Sequence, residues 1–125
     1  MIVISSIEVR FVSHATEDER RLKVAAEGLF GVPFTVEVLE GHWGNPIHVF
    51  TARLEGPQAE QLLRRLAASV PVRDFDVRCE GSRFYIRISK SALLRGELVP
   101  GEDVQLKVKF PRKVDAGYLR RFWKV

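Results

Sequence analysis

Apolar and polar residues alternate along residues 3–12. Val3, Ile7, Val9 and Phe11 fall on one side of an extended chain, and Ser6, Glu8 and Arg10 fall on the other. A period of two predicts a strand with one buried face. The period changes after Ser13-His14-Ala15. Thr16 followed three residues later by Glu19 has the form of a capping box, and Glu17, Asp18 and Glu19 suit the positive end of a helix. Leu22, Ala25, Ala26 and Leu29 then recur at helical spacing, and Gly28 or Gly31 can end the helix.

Beyond Pro33, residues 34–40 predict a second strand. Gly41-His42-Trp43-Gly44-Asn45-Pro46, with two glycines and an Asn-Pro pair, predicts a turn. Residues 47–54 are apolar on both faces, which predicts a strand inside the sheet rather than at its margin. Gly56-Pro57 opens a second helix, whose stripe is Ala59, Leu62, Leu63, Leu66, Ala67 and Val70, and Pro71 ends it. Two alternating runs (Phe75, Val77, Cys79 and Phe84, Ile86, Ile88) flank Gly81-Ser82 and predict a hairpin. A short helical turn is expected over 90–95. A last strand follows through Val104, Leu106, Val108 and Phe110, and a short helix over 114–124 would dock Leu119, Phe122 and Trp123. The order β-α-β-β-α-β-β-(α)-β-(α) implies an α+β fold: a mixed, mostly antiparallel sheet with two main helices on one face. No linker or repeat interrupts it, so residues 1–125 are expected to form a single domain.

Composition narrows the function classes. At 46% apolar and 29% charged residues, the chain has the makeup of a folded globular protein. No apolar run approaches the roughly 20 residues that span a bilayer, and residues 1–6 lack the basic start of a signal peptide. Cys79 is the single cysteine, which excludes an intrachain disulfide and a cysteine-rich zinc site and fits a reducing cytoplasm. The net charge of +4 is unevenly placed: residues 1–82 carry −3 and residues 83–125 carry +7. A basic block in a compact chain is the footprint of a polyanion binder, against the plainer reading of a solubilising surface. Arginine outnumbers lysine 14 to 6, which suits bidentate phosphate contacts and stacking on bases.

Three segments resemble an archaeal family of exosome-associated RNA-binding proteins. They are Ser13-His14-Ala15-Thr16-Glu17-Asp18, Glu40-Gly41-His42-Trp43-Gly44-Asn45-Pro46-Ile47, and Tyr85-Ile86-Arg87-Ile88-Ser89-Lys90, whose end matches that family's Arg-x-x-Lys pattern. The resemblance implies a ribosomal-protein-L5-like fold and a non-catalytic accessory role in RNA processing, beside exosome or RNase P subunits. Relatives are expected to be more helical where residues 75–80 here predict a strand.

The candidate chemistry divides into two groups. Tyr85 and Arg87 share one face of their strand, and Lys107 and Lys109 lie on the polar face of the last one. Were these strands neighbours, they would form a basic-aromatic surface suited to RNA, single-stranded or structured. Lys90, Asn45 and the terminal cations Arg112, Lys113, Arg120 and Arg121 extend that RNA-binding set. Trp43 either stacks an unpaired base or folds back as a lid on the core. The second group is His14, Thr16 and His42. These either lock the two loops to each other or contact RNA beside the free amides of a helix start. No His-x-x-x-His or other metal-ligand spacing is present, so no metal or cofactor is expected. RNP1, Walker, Gly-x-Gly-x-x-Gly and Gly-x-Ser-x-Gly patterns are also missing, and Gly41-His42-Trp43-Gly44 links strands rather than the two helices of a KH loop. Two other functions compete with RNA binding. One is a protein–protein adaptor anchored by Trp43, Phe122 and Trp123, and the other is an RNA-processing enzyme in which His14 and His42 converge.

Overall fold

The computed structural model describes residues 4–14, 18–41, 44–69, 78–80 and 82–111. The elements in chain order are β1 (Ser6–Ser13), α1 (Glu19–Phe30), β2 (Thr35–Glu40), β3 (Pro46–Glu55), α2 (Gly56–Ser69), β4 (Arg78–Glu80), β5 (Arg83–Ile88), α3 (Lys90–Leu93) and β6 (Val104–Lys109). The six strands form one sheet in the order β2-β3-β1-β6-β5-β4, antiparallel at every pairing. The expected α+β architecture with a mostly antiparallel sheet holds. The expected helix over 114–124, with Leu119, Phe122 and Trp123, lies outside the described residues, as do Phe75 and Val77.

Alternation decides which side of each strand is buried. Ile7, Val9 and Phe11 of β1, Phe50, Ala52 and Leu54 of β3, Phe84, Ile86 and Ile88 of β5, and Val104, Leu106 and Val108 of β6 point the same way. They join one core with Leu22, Ala26, Leu29 and Phe30 of α1 and Ala59, Leu62, Leu63 and Leu66 of α2. Both main helices therefore cover the same face of the sheet, as predicted. Phe11 stacks on Phe50 at 4.9 Å between ring centres and tilts against Phe34 at 5.6 Å. Each such fully buried side chain stabilises the fold by roughly 1.5–3 kcal/mol.

The helix ends differ in part from expectation. Asp18, not Thr16, is the N-cap of α1, and its carboxylate accepts from the Arg21 N–H at 3.2 Å. Thr16 is outside the described residues. Asp18 competes well because its short charged side chain both accepts the bond and meets the helix dipole. Gly31 ends the helix at φ 74°, a left-handed conformation that disfavours other residues, and its N–H reaches the Glu27 carbonyl. Arg65 of α2 donates to the Leu29 carbonyl at 2.7 Å, tying the end of α1 to its neighbour.

The link between α3 and β6 is held tightly against the end of β5. Ser89 N–H donates to the Val99 carbonyl at 2.8 Å, and Gly101 N–H donates to the Arg87 carbonyl at 3.3 Å. A side chain at Gly101 would come within 2.5 Å of the Ser89 backbone, so only glycine fits this approach. β6 itself, late in the sequence, sits between β1 and β5 in the middle of the sheet.

Candidate nucleic-acid interface

The face of the sheet opposite the helices carries the outward halves of the same alternating strands. The register aligns these positions in rows. One row runs Arg83, Lys109, Ser6 and Glu55 across β5, β6, β1 and β3. The next runs Tyr85, Lys107, Glu8 and Arg53, and the third runs Arg87, Gln105, Arg10 and Thr51. Adjacent strands lie about 4.8 Å apart, and alternate residues along a strand about 6.7 Å, so the side chains of these rows are close neighbours, Ser6 among them being buried.

Across β5, β6 and β1 this face holds five cations (Arg83, Arg87, Lys107, Lys109 and Arg10) against one carboxylate, Glu8. Glu8 is shared: its carboxylate oxygens lie 3.7 Å from Lys107 and 3.9 Å from Arg53. Arg53 is also held by Glu55 at 2.6 Å. No ion pair among the described residues involves Arg10, Arg83 or Lys109. Tyr85 is half-buried, with Arg83 and Arg87 on either side along the strand and Lys107 opposite it. It is the one aromatic residue on this face among the described residues. An aromatic ring bordered by guanidinium and ammonium groups can stack a base while its neighbours meet the phosphates on either side.

The expected neighbour relation between the strands of Tyr85–Arg87 and Lys107–Lys109 is thus present. The structure also adds Arg10, Arg53 and Arg83 to the surface. Arg83 was available from the alternation, since it stands two residues before Tyr85. Arg10 and Arg53 were not, because only the order β3-β1-β6 brings them to the same field.

The remaining described candidates gather elsewhere, at the end of the sheet where β1 finishes and β3 begins. Lys90 donates to the Val12 carbonyl at 2.7 Å. It lines a cleft of about 340 Å³ between α1 and α3 with Asp18, Arg21, Leu94 and Asp103. Its ammonium therefore secures the end of β1 rather than joining the field around Tyr85. Asn45 is exposed, and its carbonyl accepts the Gly41 N–H at 2.6 Å, closing the turn between β2 and β3. His14 is exposed just after β1. At this end His48 Nδ1 lies 2.9 Å from the Glu19 carboxylate, joining β3 to the first turn of α1. His42, Trp43, Arg112, Lys113, Arg120 and Arg121 lie outside the described residues. No group of three or more acidic, His or Cys side chains among the described residues could hold a metal, and no described helix is long and apolar enough to cross a membrane.

A single antiparallel sheet, with helices on one face and cations on the other among the described residues, defines the class to which the chain answers: an α+β protein. The family comparison is more specific. The model of the RNA-binding family matches residues 6–110, and the chain belongs to that family. A Pyrococcus abyssi protein named an RNA-binding protein is 33% identical over 89% of this chain and 86% of its own length. An uncharacterised protein of Methanocaldococcus jannaschii is 29% identical over 82% of this chain and 80% of its own. Among solved structures, a DUF54 protein of Methanothermobacter thermautotrophicus superposes with a TM-score of 0.77 at 24% identity, covering 97% of this chain and 98% of that one. A DUF54 protein of Sulfolobus solfataricus gives 0.74 at 18% identity, covering 96% and 95%. These two share the fold.

Proposed function

We propose that the protein binds RNA through the face of its sheet opposite the helices, with Arg83, Arg87, Lys107, Lys109 and Arg10 meeting phosphates and Tyr85 stacking a base. The observation that carries this is the row geometry: five cations against one carboxylate around a single half-buried tyrosine. Membership of the RNA-binding family supports it, as does the name of the Pyrococcus abyssi relative.

The finer reading is that of a cytoplasmic, single-domain, non-catalytic accessory factor that presents RNA to a processing or degrading assembly such as the exosome or RNase P, with no cofactor. It rests on the resemblance carried by the Ser13–Asp18, Glu40–Ile47 and Tyr85–Lys90 segments, from which an L5-like arrangement also follows. Fluorescence anisotropy with a labelled single-stranded RNA, at two salt concentrations, tests the central claim. Binding should weaken steeply with salt, because each neutralised phosphate releases counterion. Absence of binding at low salt, or binding indifferent to salt, refutes it. Pull-down of exosome or RNase P subunits after nuclease treatment separates the accessory role from RNA binding alone.

A further inference from the structure

β2 stands at the open margin of the sheet, and all six of its residues are exposed. Of the five large apolar side chains exposed among the described residues, three lie on this strand: Val36, Val38 and Leu39. Val38 is 62% exposed, although it pairs with His48 on the side that the helices cover elsewhere. Edge strands are ordinarily protected by lysine, proline, a bulge or brevity, since alternate N–H and C=O groups point away from the sheet and invite another strand. Apart from the charges of Glu37 and Glu40, β2 carries no such protection. It keeps unbroken register with β3 from Thr35↔Thr51 to Glu40↔Pro46, and it contains neither lysine nor proline.

Its charge is equally particular. In a chain of net charge +4, β2 carries two carboxylates, Glu37 and Glu40, and no cation. Neither carboxylate makes an ion pair among the described residues. Pairing β2 with its own copy about a two-fold axis would set four carboxylates along one seam. With four carboxylates and no cation along that seam, the charge favours a basic partner over a second copy.

We propose that β2 is a docking edge for an extended segment of a partner protein, which adds to the sheet as a further strand. That segment carries aliphatic side chains opposite Val36, Val38 and Leu39 and lysine or arginine opposite Glu37 and Glu40. Main-chain bonds would supply affinity and the alternating side chains specificity, as in other strand-addition complexes. β3 stands between the edge and the cations of β1, β6 and β5, so RNA and the partner strand could be held at once.

A labelled hexapeptide tests this directly: Lys-Val-Ile-Lys-Val-Thr, which sets lysines against Glu40 and Glu37 in an antiparallel pairing. Titrated against the full chain by fluorescence anisotropy, it should bind at least about tenfold more tightly than the version with both lysines replaced by glutamate. N-methylating one of the two alternate sets of peptide amides should abolish binding, because only one set faces β2. Val36→Thr with Val38→Thr should weaken peptide binding while leaving RNA binding unchanged. Glu37→Lys with Glu40→Lys should reverse the peptide preference. Equal affinity for the two peptides overturns the proposal, and so does indifference to both N-methyl sets. A concentration-dependent dimer in sedimentation that Val38→Thr dissolves would also overturn it, by assigning the edge to a second copy.

Discussion

The two sides of the sheet use the same local pattern to opposite ends. β5 and β6 alternate cleanly: Phe84, Ile86, Ile88, Val104, Leu106 and Val108 are fully buried, and their polar partners point to the opposite face. β2 alternates too, yet Val36 and Val38 remain exposed on the side that is buried in β3 and β1. Alternation thus fixes which way a side chain points. Whether that direction is dry depends on what lies above it, which is a property of the assembled layers. The charge follows the same division, with cations concentrated around Tyr85 and carboxylates on β2.

Stability should reveal the contrast most strongly. Phe84→Ala empties a fully buried site and is expected to cost about 3–5 kcal/mol, whereas Val38→Ala should change stability by less than about 0.5 kcal/mol. Denaturant midpoints measure both, and comparable losses would remove the distinction between the covered strands and the exposed edge. RNA binding comes next. Tyr85→Ala is expected to weaken it by about 1–3 kcal/mol while Tyr85→Phe largely preserves it, since the ring and not the hydroxyl stacks. Replacing Arg83, Arg87 and Lys109 together by alanine should flatten the log–log salt slope by about 2, near 0.7 per lost single-strand phosphate contact. The same change at Arg20, Arg64 and Arg95, which lie on helices and a loop away from this face, should leave the slope almost unaltered. The smallest effect is expected from Glu8→Gln, which releases Lys107 and Arg53 from their shared carboxylate and should raise RNA affinity about twofold.

Much of this was legible in the residues. The period-two runs located β1, β5 and β6, and Gly81-Ser82 located the β4–β5 connection. Gly56-Pro57 located the start of α2. These signals are local, set by the direction of successive side chains and by turn chemistry. The site was legible only in part. Tyr85 and Lys107 were visible as polar-face residues, but their meeting depends on β5 and β6 pairing. Arg10 and Arg53 join them only through strand order. Lys90 looked like a cation available to RNA, and its bond to the Val12 carbonyl could not be foreseen from a residue so distant in the chain. His48 was hidden within an apolar strand. Its partner Glu19 was accounted for as part of a helix start, and only the pairing of Ser13 with His48 brings the two together.

The central place of β6 has a consequence for how the chain comes to exist. Ser6 pairs with Lys109, and Arg83 pairs with the same lysine from the other side. Until the ribosome has released the β6 segment, β2-β3-β1 and β4-β5 are two separate pieces, each with an unpaired apolar border. The proposed RNA surface cannot form before then, because Arg10 and Tyr85 belong to different pieces. If RNA binds there as proposed, nascent chains would stay silent toward RNA during synthesis and acquire binding in a single late step. A transcript broken just before codon 104 would yield a fragment with two sticky borders and no function, well suited to removal by proteases.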